Sequence, residues 1–130
     1  MPKILVVADA PWVVNDVHAS LADTAYDVSV IGDPAIVGDE FTDLAPDAVV
    51  IDLQVGSMGG MAITRSIRNA ARTAGVAVPP VIVLLDRDVD AFLARRAGAD
   101  AHLRKPFGGF ALRDLVDRLT AGEAAPASAE

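Results

Sequence analysis

The sequence predicts a doubly wound α/β domain, a parallel five-stranded sheet in the order 2-1-3-4-5 between layers of helices. Three observations carry that expectation. Apolar runs alternate with stretches of helical period, the pattern of successive βα units. Three runs are continuously apolar, as strands covered on both faces must be. Two others alternate apolar with polar, which suits strands with a wetter face at the two edges of the sheet.

Residues 4–7 form the first apolar run and read as a central strand. Val13, Val17 and Leu21 then share one helical face. The stretch Asp27–Ile31 alternates and reads as an edge strand. Asp33 before Pro34 is an N-cap followed by proline in the first turn, and Val37, Phe41 and Leu44 mark the second helix. Residues 48–51 form the second central strand, and a third helix is expected over about 58–74, with Arg65, Arg68 and Arg72 on its solvated side. The run Val81–Leu85 is the third central strand, and Val89, Leu93 and Ala97 mark the face of the fourth helix. Ala101–Arg104 alternates as the other edge, and Ala111, Leu115 and Leu119 line the last helix. Gly75, Gly98 and Gly122 each follow a helical pattern, where a left-handed cap residue belongs. The domain is expected over 1–120. The Ala-rich stretch 121–130, with no large apolar residue, is expected to be a flexible C-terminal tail.

The 130 residues suffice for one domain, and 52% apolar against 22% charged is a globular balance. With no cysteine, disulfides, thiolate metal sites and cysteine nucleophiles are excluded. A net charge of −7 argues against binding a phosphate backbone, while it suits divalent cations. No apolar run approaches the ~20 residues that a bilayer crossing needs. The first residues lack the pattern of a secretory signal. A cytoplasmic protein with neither nucleic-acid nor membrane partners is therefore expected.

In an open parallel sheet, ligands bind outside the carboxyl ends of the strands. Those ends carry Ala8-Asp9, Asp52, Leu85-Asp86 and Lys105-Pro106. Any one such aspartate is more often a loop cap, but several converging on one rim beside the Gly-rich loop 56–60 point to a site. Clustered carboxylates repel, and a hard dication held by oxygen ligands relieves that repulsion. Asp9 and Asp52, with a backbone carbonyl and waters, suit Mg²⁺ with room for a phosphate. Lys105 would neutralise a phosphoryl oxygen as a compact point charge.

With these residues in place, the sequence resembles a receiver domain of two-component response regulators. Four motifs carry the likeness in order. They are the first strand ending in Ala8-Asp9 with Pro11 after it; Val49-Val50-Ile51-Asp52-Leu53 followed by Met58-Gly59-Gly60; Pro80-Val81-Ile82-Val83-Leu84; and Ala97-Gly98-Ala99-Asp100 followed by Lys105-Pro106-Phe107. The resemblance implies a flavodoxin-like (CheY-like) three-layer sandwich acting as a signalling module rather than an enzyme. It implies that Asp52 accepts a phosphoryl group from the phosphohistidine of a sensor histidine kinase or from a small phosphodonor. Asp9, Asp52 and the carbonyl of Gln54 would hold Mg²⁺. Lys105 would contact the phosphoryl group, ahead of a cis Pro106. A stand-alone receiver of this kind would signal by docking an effector protein on its fourth helix, fifth strand and fifth helix, near Arg95, Arg96, Arg104 and Arg113.

Several positions depart from the family pattern. Ala8 replaces the first acid of the acidic pair, and Leu85 replaces the hydroxyl residue that closes on the phosphoryl group. Asp86 stands where a small residue is usual, and His102 where an aromatic switch residue is usual. Gly56 and Gly59 make the loop after Asp52 more pliable. Asp86 reads first as an N-cap for the helix beginning near Arg87, with pairing to Lys105 or metal ligation as alternatives. His102 reads as a polar tip on an edge strand, with a pH toggle as the alternative. His18 reads as exposed, and Trp12 as partial packing at a helix start. Loss of the hydroxyl and of one acid keeps a second function open, a phosphorylation-independent pseudo-receiver serving as an interaction module. A metal-dependent phosphohydrolase is disfavoured because Gln54 stands where it would need a second acid.

Overall fold

The computed structural model describes residues 2–22 and 25–123. In chain order the strands are β1 (Lys3–Val7), β2 (Asp27–Ile31), β3 (Ala48–Asp52), β4 (Gln54–Val55), β5 (Met58–Gly59), β6 (Val81–Leu85) and β7 (Ala101–Arg104). The five long strands form one parallel sheet in the order β2-β1-β3-β6-β7, the expected arrangement. Every residue of β3 and β6 is buried, whereas β2 and β7 each leave positions partly exposed, as their alternating sequences require. Register aligns the carboxyl ends: Val7 lies opposite Ile31 and Ile51, Asp52 opposite Leu84, and Leu85 opposite Arg104. The segments that follow these strands therefore open onto one rim.

Among the described residues five helices cover the sheet: α1 (Pro11–Ser20), α2 (Val37–Leu44), α3 (Gly60–Ala74), α4 (Ala91–Ala97) and α5 (Gly109–Thr120). Alternate strand residues point to opposite faces, so the core divides in two. On one side Ile4, Val6, Val50 and Leu84 pack with Val13 and Val17 of α1 and Leu112 and Val116 of α5. On the other, Leu5, Val7, Ile51 and Val83 pack with Phe41 of α2, Ile63 and Ile67 of α3 and Ala94 of α4. Gly75, Gly98 and Gly122 all adopt positive φ. Asp33 accepts a hydrogen bond from the Ala35 N–H at 3.0 Å, capping a single 3₁₀ turn (Pro34–Ile36) ahead of α2.

Two expectations need correction. The third helix begins at Gly60, because Met58 and Gly59 instead pair with Val55 and Gln54 in a two-residue antiparallel ladder, turned at Gly56 with φ 59°. Gly60 itself starts α3 hard against the end of β3: a Cβ there would lie 2.6 Å from the Asp52 carbonyl oxygen. The fourth helix does not bury Val89 and Leu93, which are 72% and 53% exposed. A 3₁₀ turn (Asp88–Asp90) precedes α4, and the helix lies on the core through Ala94 and Ala97. Small side chains let a short helix sit close, so its large residues face outward.

Of the segment expected as a tail, residues 124–130 lie outside the described residues. Among the described residues, no helix is long and apolar enough to cross a membrane.

Candidate functional site

Asp52 ends β3 and is 4% exposed. Its Oδ1 accepts from the Leu53 N–H at 2.8 Å and from Lys105 Nζ at 2.5 Å. No buried side-chain oxygen among the described residues lacks a partner. Oδ2 of Asp52 accepts no hydrogen bond and keeps a small accessible area at the rim, the side chain being 5% exposed. Lys105 arrives just after β7, where its N–H donates to the Leu85 carbonyl at 2.8 Å and extends the β6–β7 ladder by one rung. The Lys105–Pro106 peptide is cis. The Lys105 side chain is 6% exposed, and a second carboxylate, Asp86 Oδ1, lies 3.2 Å from its Nζ. The indole of Trp12, at the start of α1, covers the ammonium with its ring centroid 5.3 Å from Nζ.

The pairing corrects the reading of Asp86 as a helix cap. Arg87 occupies the N-cap position of the following turn, no side chain caps it, and the Asp86 carboxylate is turned to Lys105 instead. A buried ammonium attracts every carboxylate within reach, whereas an exposed turn can leave its N–H groups to water.

Asp9 is exposed, and its Oδ2 accepts from the Gly56 N–H at 2.7 Å. The Gln54 side-chain amide donates to the Gly56 carbonyl at 3.1 Å. Gly56 thus ties Asp9 and the Gln54 side chain to the loop that leaves Asp52. Two carboxylates and a loop carbonyl are hard oxygen donors of the kind Mg²⁺ takes together with water, so the donor set fits that ion. Ala8 is buried and contributes no acid. Among the described residues, no group of three or more acidic or histidine side chains gathers to hold a metal.

The other degenerate positions lie as their sequence suggests. Leu85 is fully buried in the core and offers no hydroxyl to the rim. His102 is half-buried on the edge strand β7, opposite Val83. His18 is exposed. Sequence reasoning missed two contacts, the indole over Lys105 and the Gly56 N–H on Asp9. The only signal for the first was an aromatic directly after Pro11, close to the acidic rim.

A parallel sheet in this order, with an aspartate ending its central strand against a lysine after its edge strand, defines a receiver domain. The response regulator receiver domain family matches residues 4–119, and the chain belongs to that family, the receivers of two-component systems. It is 33% identical over 120 residues to the DNA-binding response regulator MtrA of Mycolicibacterium smegmatis, covering 92% of this chain and 49% of that protein. The fold superposes with a TM-score of 0.78 on the receiver domain of the sensor histidine kinase PA1611 from Pseudomonas aeruginosa, solved with magnesium in its active-site cleft. That pair shares 25% identity and covers 92% and 98% of the two chains. A co-crystal of the Saccharomyces cerevisiae phosphotransfer protein Ypd1 with the receiver domain of Ssk1 contains a chain of the same fold. It gives a TM-score of 0.83 at 16% identity, over 98% and 94% of the chains. The chain spans about half the length of the curated relatives it matches.

Proposed function

We propose that this chain is a phosphorelay receiver that accepts a phosphoryl group on Asp52, with residues 1–120 as the receiver. One observation carries the reading: Asp52 is fixed through Oδ1 by a buried lysine while Oδ2 is left without a hydrogen-bond partner at the rim. In the transfer, Oδ2 forms a bond to phosphorus as the P–N bond to a donor phosphohistidine breaks, and the electron pair stays on the imidazole nitrogen. Lys105 neutralises oxygens of the transferred group and limits the geometry to in-line attack. Asp9, Asp52 and the Gln54 carbonyl would hold Mg²⁺, which would supply further positive charge to those oxygens. The donor is a sensor histidine kinase, a phosphotransfer protein or a small phosphodonor, a pairing that the Ypd1–Ssk1 co-crystal illustrates for another receiver.

The output is docking of an effector protein, in the cytoplasm, on the face of α4, β7 and α5. There Arg95, Arg96 and Arg104 are exposed beside Phe92 and Phe110 at 57% and 82% exposure, with Arg113 half-buried. Arg96 sits over the Phe92 ring at 5.7 Å, and Arg104 pairs with Asp88 at 3.1 Å. An acidic, apolar partner surface suits this face better than nucleic acid or a membrane does.

The buried Leu85 favours a second reading, a pseudo-receiver that docks partners without phosphate. Without a hydroxyl at that position, phosphorylation has few differential contacts with which to shift the ensemble. Intact mass spectrometry with Mg²⁺ and a small phosphodonor separates the two. One phosphoryl added to the wild type and none to Asp52→Asn is expected. A wild type that takes none, from donor or kinase alike, leaves the pseudo-receiver.

A further inference from the structure

Lys105 Nζ meets three groups: Asp52 Oδ1 at 2.5 Å, Asp86 Oδ1 at 3.2 Å and the Trp12 ring at 5.3 Å. We propose that Asp86, with Trp12, is a positioning residue for Lys105: its carboxylate holds the ammonium on resting Asp52 by ion pairing and competes with incoming phosphoryl oxygens for the same positive charge. This rests on the reading of Asp52 as the acceptor.

The contacts are unequal in a way that suits displacement. The ammonium donates a hydrogen bond to Asp52 Oδ1, adds an ion pair to Asp86 Oδ1 at 3.2 Å, and lies against the indole face of Trp12. At the Asp52 end both side chains are almost fully buried, at 5% and 6% exposure, so that contact is the fixed one. At the Asp86 end the carboxylate is 59% exposed. An ion pair with one end in water is weak, and a stronger anion takes its place readily. A phosphoryl group on Asp52 brings such an anion, so Asp86 opposes it twice, by neutralising part of the ammonium's charge and by like charge. Leu85 beside it offers no hydroxyl in compensation. The site is therefore tuned by a carboxylate at the position after Leu85.

Beryllofluoride with Mg²⁺, titrated into the full chain and followed by the emission of its single tryptophan, measures the competition. Asp86→Asn keeps the shape and removes the charge, and it is expected to bind beryllofluoride about fivefold more tightly, as for loss of a pair worth about 1 kcal/mol. Asp88→Asn removes the same charge from the same loop, but its residue pairs with Arg104 and not with Lys105. That variant is expected to match the wild type. A second readout needs no phosphate. The chain has two lysines, and Lys3 is exposed, so acylation of Lys105 relative to Lys3 reports the cage directly. Several-fold faster acylation of Lys105 is expected in both Asp86→Asn and Trp12→Ala. An unchanged Lys105:Lys3 ratio in Asp86→Asn, equal effects of the two aspartate variants, or weaker beryllofluoride binding by Asp86→Asn (the mark of a metal ligand) would each overturn the proposal. No binding by any form, with Lys105 still unmasked by Asp86→Asn, would sink the acceptor reading alone.

Discussion

At Lys105 the desolvation of an ammonium is set against two carboxylates and an aromatic face, and the arrangement makes sense only as a unit. Tyr26 shows the same logic away from the rim. Its hydroxyl donates to Asp117 Oδ1 at 2.5 Å and lies 3.2 Å from Thr120 Oγ1, tying the segment before β2 to α5 across 91 residues of sequence. Burial, followed by the hydrogen bond to Asp117, raises the Tyr26 pKa above its ordinary value. A neutral acid favoured by folding stabilises fully below its unfolded pKa, and that contribution declines as pH rises through the folded value. Between the two values the unfolded chain holds fewer protons, so the slope of stability with pH is negative. Tyr26→Phe is expected to cost about 1 kcal/mol at neutral pH. It should also flatten the loss of stability above pH ~10, the ordinary tyrosine value. Urea titrations at neutral and alkaline pH check both.

Among the elements, α4 separates what periodicity reveals from what it hides. Val89 and Leu93 have the right spacing for a buried face, yet alanines occupy the contact. Alanine carries too little apolar weight to outvote valine and leucine in a sequence reading, although close approach needs its small volume. Ala94→Leu is therefore expected to destabilise by about 2 kcal/mol through overpacking, and Leu93→Ala by under about 0.5 kcal/mol, measured by chemical denaturation. The β4–β5 ladder was hidden for a different reason: two residues are too short to show an alternating pattern. The long strands were legible because burial on one or both faces writes directly into their apolar runs. Asp52 and Lys105 were legible through their places just beyond such runs. The choice between a cap and the Lys105 pairing at Asp86 was not, because aspartate before a turn fits both roles.

Across the whole molecule the sheet insulates two cores from each other. Val116 of α5 belongs to one and Ile67 of α3 to the other. Val116→Ala is expected to cost about 2 kcal/mol and Ile67→Val about 1 kcal/mol. The double variant should cost their sum to within about 0.5 kcal/mol, since the two sites share no partner. Non-additivity in urea melts would mean that strain crosses the sheet. The parallel arrangement also gives the domain a polarity with a practical use. Lys3 opens β1 at the end of the sheet opposite the rim, about 20 Å from Asp9 at the strand's usual rise. With the other lysine enclosed, coupling chemistry aimed at side-chain amines mounts the domain on a sensor chip by its far end, leaving the acidic mouth toward the flow.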